Sequence, residues 1–113
     1  MMGRTHCLVP AAIAAWLFGP DPTVLLISAG AGLFPDIDEP QSTIGYRVFL
    51  LAKWFKGLVG HRTYSHSLVG VMTAASLALI FDLPWRWIEA GLTGWGSHLV
   101  LDALSGGVPL WWP

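Results

Sequence analysis

Long apolar runs cut by short polar turns set the organisation of this chain. Cys7 to Phe18 is apolar, and Gly19-Pro20-Asp21-Pro22 breaks it with turn residues. This predicts a first helix from about Thr5 or Pro10 to Phe18, with Thr5 as a cap. Thr23 to Phe34 is apolar again and rich in small residues from Ser28 to Gly32, which allow close helix contact; Pro35 stops it. Pro35 to Gly45 is a polar loop. Tyr46 to Val59 is amphipathic: Phe49, Leu50, Trp54 and Leu58 recur at helical spacing among Arg47, Lys53 and Lys56, a pattern that suits a helix lying in a lipid interface. After the polar junction His61 to Ser67, further helices are predicted over about Ser67 to Phe81 and Trp87 to Leu104. Between them Asp82 to Trp87 forms a turn, and Ser105-Gly106-Gly107 ends the last helix. The tail from Val108 to Pro113 is aromatic.

Composition turns this helical pattern into a membrane prediction. Apolar residues make up 54% of the 113-residue chain and charged residues 12%, against about 25% charged in an average soluble domain. Mean hydropathy is +0.58. So small a domain has much surface for its volume, and this one has few polar side chains to cover it. The expectation is one all-α domain over residues 1–113: an integral membrane protein with about four membrane-embedded helices and one amphipathic interfacial helix. The first two helices are short for the bilayer core. The N-terminal apolar stretch reads as a retained helix, because no small-x-small site precedes polar sequence.

Charge refines the placement. The net charge of −1 gives no reason to expect a nucleic-acid partner. Arg4, Arg47, Lys53, Lys56 and Arg62 lie at the N-terminus or in the long central segment, so the positive-inside rule puts both termini and that segment in the cytoplasm. Membrane lipids are the expected partners, with a homo-oligomer or a cytoplasmic regulatory protein as further candidates. Cys7 stands alone and reads as a small packing residue.

The topology gathers the chemistry at one face. His6 starts the first helix, Asp36 and Asp38 follow the second, His61 and His66 precede the third, and His98 and Asp102 share a face of the fourth at i and i+4. In an extended segment Asp36 and Asp38, at i and i+2, point the same way. Imidazole and carboxylate ligands without thiolate suit zinc, manganese or Fe(II), and seven candidate ligands are enough for one or two ions. A carboxylate left uncoordinated (Asp36, Asp38 or Asp102) can act as general base. Arg62 can hold an anionic substrate group or serve as a positive-inside anchor. A lone interfacial histidine is usually an ordinary polar residue; it is the set that points to metal.

Arg4-Thr5-His6, Pro35-Asp36-Ile37-Asp38, His61-Arg62-Thr63-Tyr64-Ser65-His66-Ser67 and Gly96-Ser97-His98 through Asp102-Ala103-Leu104-Ser105 occur in order. With them the chain resembles the membrane-bound metal-dependent hydrolases, whose members include LexA-binding inner-membrane proteins. The resemblance covers nearly the whole chain. It implies an inner-membrane helical protein with His6, Asp36, Asp38, His61, His66, His98 and Asp102 as metal-site residues. A looser similarity to zinc-dependent phospholipases C points by analogy to phosphoester or phospholipid substrates. The chain departs from the family pattern at Thr63, which stands in a glycine position, and at Ser65, which stands in a threonine position and keeps the hydroxyl. Many relatives continue past the point where this chain stops. A non-enzymatic membrane regulatory protein is the alternative function. A transporter is disfavoured because the far half of each helix is nearly all apolar.

Overall fold

A computed structural model of the chain describes residues 3–38, 42, 46–59, 64–107 and 111; the side chains of residues 38, 52, 55 and 59 also lie outside the description. Among the described residues the structure is helical: α1 (Gly3–Phe18), α2 (Pro22–Leu33), a 3-10 turn (Phe34–Asp38), α3 (Phe49–Val59), α4 (Leu68–Ile80) and α5 (Trp85–Ser105).

Local chemistry explains the helix ends. The Asp21 carboxylate accepts from the backbone N–H groups of Thr23 and Val24 at 2.8 and 3.3 Å, and Pro22 opens α2. Gly19, at φ +84°, makes the reversal from α1 to α2. The Ser67 hydroxyl caps α4 by accepting from the Gly70 N–H at 3.3 Å. The expected cap at Thr5 does not form, because α1 already begins at Gly3.

The centre is a three-helix contact of α1, α2 and α5, with α4 laid on α5 and α3 on the 3-10 turn. Ala14, Val24 and Ala90 form the apolar core, and Phe18, Leu25 and Ile27 pack around it. Two glycines set how closely the helices approach. A Cβ at Gly32 would collide with the His6 carbonyl oxygen and the Pro10 ring, and one at Gly94 with the Ser28 carbonyl. Pro10, inside α1, has no N–H to offer the His6 carbonyl. The Ser28 hydroxyl donates to the Pro10 carbonyl at 3.1 Å, tying α2 to α1.

The membrane architecture expected from composition is overturned. Among the described residues no helix is long and apolar enough to cross a membrane. α1, α2 and α4 have 16, 12 and 13 residues, or about 24, 18 and 20 Å of rise at about 1.5 Å per residue, against a hydrocarbon core of about 30 Å. α5 has 21 residues, but Arg86, Glu89, His98 and Asp102 interrupt its apolar sequence. The described residues thus form a compact five-helix body, and the four membrane-embedded helices expected are not among them. Without a span among the described residues, the positive-inside argument has nothing to orient, and the multi-pass, cytoplasm-facing topology loses its basis.

Candidate metal centre

Three separate parts of the chain deliver the site. Asp36 comes from the 3-10 turn after α2 and His66 from the turn just before the cap of α4. His98 and Asp102 lie one turn apart on α5. The Nε2 atoms of His66 and His98 stand 3.3 Å apart. Asp102 Oδ2 is 3.4 Å from the first and 3.3 Å from the second. Asp36 Oδ1 is 3.7 Å from each. Four tetrahedral ligands held about 2.0–2.1 Å from zinc are separated from one another by about 3.3–3.4 Å. Five of the six donor–donor separations, at 3.3–3.7 Å, are thus close to that spacing, and the donor atoms of all four residues lie within 4.8 Å of one another. Among the described residues this is the one such His/Asp group.

Burial makes the arrangement costly without compensation. His66 and His98 are 0% exposed, Asp102 4% and Asp36 8%. Two carboxylates and two imidazoles in a buried space lose solvation that a cation would replace. Burial, the largest influence, lowers the His98 pKa from its ordinary 6.5; the attraction of Asp36 opposes it without reversing it. Burial lowers His6 in the same way. For Asp36 burial acts upward, yet the hydrogen bond from His66 and the nearby His98 and His6 together hold the carboxyl below its ordinary value. Neutral imidazole and ionised carboxylate are the forms that bind metal.

A second layer of contacts orients the donors. His98 Nδ1–H donates to the Gly32 carbonyl at 2.6 Å, which leaves the Nε2 lone pair aimed at the cluster. The Ser65 hydroxyl meets His66 Nδ1 at 3.0 Å; a hydroxyl can accept there and so free His66 Nε2 as a ligand. The Trp95 indole N–H donates to the Ser65 carbonyl at 2.8 Å and holds that turn on α5. His6 Nε2–H donates to Asp102 Oδ1 at 3.0 Å. The His6 ring also lies against His98, with centroids 4.1 Å apart. His6 is buried, and among the described residues its Nδ1 has no hydrogen-bond partner.

Of the seven expected ligands, the structure gathers Asp36, His66, His98 and Asp102 and places His6 against Asp102 rather than among the four. His61 and Arg62 lie outside the described residues, as does the Asp38 side chain. The alignment argument for Asp36 and Asp38 fails, because residues 34–38 wind as a 3-10 turn rather than an extended segment. The Gly32 carbonyl and the Trp95 indole escaped the sequence reading. A backbone oxygen carries no residue-type signal, and a tryptophan in an apolar helix looks like packing.

A family model described as "YdjM inner membrane protein" matches residues 1–113. The chain belongs to the YdjM inner membrane protein family. It is 36% identical to "Uncharacterized protein YvsG" of Bacillus subtilis (strain 168), over all of this chain and 74% of that protein. It is 37% identical to "Inner membrane protein YdjM" of Escherichia coli (strain K12), over 72% of this chain and 44% of that protein. The chain thus corresponds to less than half the length of the Escherichia coli relative. No solved structure matches. Family membership supports the inner-membrane association that the resemblance implied; hydrolase activity and LexA binding are not part of what these relatives' names state.

Proposed function

We propose that this YdjM-family chain is a metal-dependent hydrolase acting at the inner membrane, with a divalent cation held by His66, His98, Asp102 and Asp36. The observation that carries the reading is the convergence of four buried donors from three chain segments, within 4.8 Å of one another and with both carboxylates 3.3–3.7 Å from the two imidazole nitrogens. The all-nitrogen-and-oxygen donor set with four corners favours zinc, while manganese and Fe(II) remain compatible with the ligand types. A bound divalent ion would polarise a substrate oxygen and acidify water.

The residues divide the remaining work. His66, His98 and Asp102 are the most buried donors and the most closely spaced, so they form the firm part of the site. Asp36 stands farther from both imidazoles, is the most exposed of the four and rides on a short 3-10 turn. It is the corner at which a substrate oxygen can enter, and its ionised carboxylate can accept a proton there. His6 holds Asp102 in place through Oδ1. Phosphoesters, including phospholipids, are the proposed substrates, by the resemblance described above, with Arg62 as the candidate anchor for their charge.

The test is elemental analysis of detergent-purified protein beside a His98→Ala variant, then a phosphodiester and phospholipid panel with and without chelator. Expected are about one divalent ion per chain in the wild type, little in the variant, and turnover abolished by chelation. Near-zero metal in both samples would end the reading. One observation favours a second reading: four protein donors converge, as many as a closed structural zinc site uses. That reading expects bound metal and metal-dependent thermal stability without turnover on any substrate.

A further inference from the structure

The site leaves unexplained the side of the molecule formed by α3. Leu50, Trp54 and Leu58 follow one another at i+4 steps, so they line one stripe of the helix, and they are 81%, 59% and 64% exposed. A well-packed globule would bury such a stripe. The segment from Tyr46 to Val59 also carries Arg47, Lys53 and Lys56 and no acidic residue. Arg47 and Lys53 are exposed, and Lys56 is half-buried. Exposed apolar residues occur on other helices, among them Trp16, Leu26 and Ile80, but those faces lack this concentration of positive charge.

We infer that the exposed face of α3 is a docking surface for an anionic lipid bilayer. Its apolar stripe enters the headgroup–acyl boundary, and its cations pair with lipid phosphates. The charge decides between occupants. An apolar protein groove would be satisfied by Leu50, Trp54 and Leu58 alone. An all-cationic helix with an exposed apolar stripe is instead complementary to a surface that is anionic outside and apolar beneath. Docking of this kind needs no spanning helix, and so agrees with both the short helices and the inner-membrane family. Because α3 packs on the Phe34–Asp38 turn, the docked bilayer would lie on the side of the molecule that carries Asp36. The inference does not require the metal.

The full chain, purified in detergent, is diluted onto preformed vesicles of phosphatidylcholine alone or with added phosphatidylglycerol, and bound protein is measured by flotation. Because apolar surface elsewhere also favours lipid, the test rests on charge dependence and on Trp54 itself. The Trp54 signal, one of seven tryptophans, is isolated by difference against Trp54→Phe. Binding is expected to favour the anionic vesicles, with Trp54 shielded from aqueous iodide and quenched by brominated lipid. Lys53→Gln with Lys56→Gln should weaken binding to anionic vesicles by about 25-fold, from about fivefold per charge, without loss of helicity. Equal wild-type binding to neutral and anionic vesicles would overturn the inference. So would a Trp54 that stays open to iodide on vesicles, which is the result expected if a protein partner covers the stripe. The Trp54 measurement needs no lysine variant and decides the matter even if the double variant misfolds.

Discussion

Asp102→Asn separates a metal ligand from a structural carboxylate, because the two roles predict opposite signs. Asp102 Oδ1 accepts from His6 at 3.0 Å, and Oδ2 lies 3.3 and 3.4 Å from the two imidazole nitrogens. Asparagine has nearly the same shape, and its amide oxygen can still accept from His6 while its NH2 group faces the imidazole lone pairs. Donor atoms of Asp36 and Asp102 lie within 4.8 Å of each other, so removing one carboxylate also relieves any like-charge repulsion. The metal-free protein should therefore keep or slightly raise its unfolding temperature. The metal-loaded protein should lose what the ion contributes. Breaking a buried charge pair costs about 3 kcal/mol or more, which weakens binding about 150-fold. With metal at about a thousand times the wild-type Kd, binding adds about 4.1 kcal/mol of stability; the weakened site retains about 1.2 kcal/mol. The difference of about 3 kcal/mol is about 12 °C in Tm for a chain of this size. Thermal unfolding followed by circular dichroism, with and without zinc, reads both quantities. A variant that melts early without metal, or that gains as much from zinc as the wild type, would refute the reasoning.

Three further outcomes follow from the same geometry. Ser65→Ala removes the hydroxyl partner of His66 Nδ1; zinc affinity by competition titration should fall about 10- to 100-fold while the helical content stays the same. Gly32→Ala places a methyl group against the His6 carbonyl and the Pro10 ring; denaturant unfolding should show a loss of about 1–3 kcal/mol, and a neutral result would mean that α1 and α2 separate freely. Lowering the pH should destabilise the metal-free protein. His6 and His98 have folded-state pKa values below the ordinary 6.5, so the unfolded chain binds more protons. Their contribution is complete above 6.5 and is lost as the pH falls through the folded values. A denaturation midpoint that rises on mild acidification would contradict this.

Several elements were legible in the sequence because local chemistry decides them. The turn residues Gly19-Pro20-Asp21-Pro22 end α1 where expected, and the structure adds that Asp21 caps α2 and Pro22 opens it. The five helical segments fall where apolar runs and breakers put them, with ends displaced by a few residues. His98 and Asp102 share a face because an i, i+4 spacing permits nothing else in a helix. The membrane-spanning reading went further than its evidence: composition reports how much of the chain avoids water, but a span also needs length, and α1, α2 and α4 lack it.

The residue types, their order and their helical periodicity determined which groups were available for a site and that His98 and Asp102 would ride on one helix. Only the tertiary structure decided that α1, α2 and α5 cross closely enough at Gly32 and Gly94 for the Gly32 carbonyl to orient His98. It likewise decided that His6 meets Asp102 rather than joining the four donors, and that Asp36 reaches the two imidazoles. The reason is that these outcomes depend on distances between parts of the chain far apart in sequence. Such distances are set by packing volume and backbone approach, which no local pattern encodes.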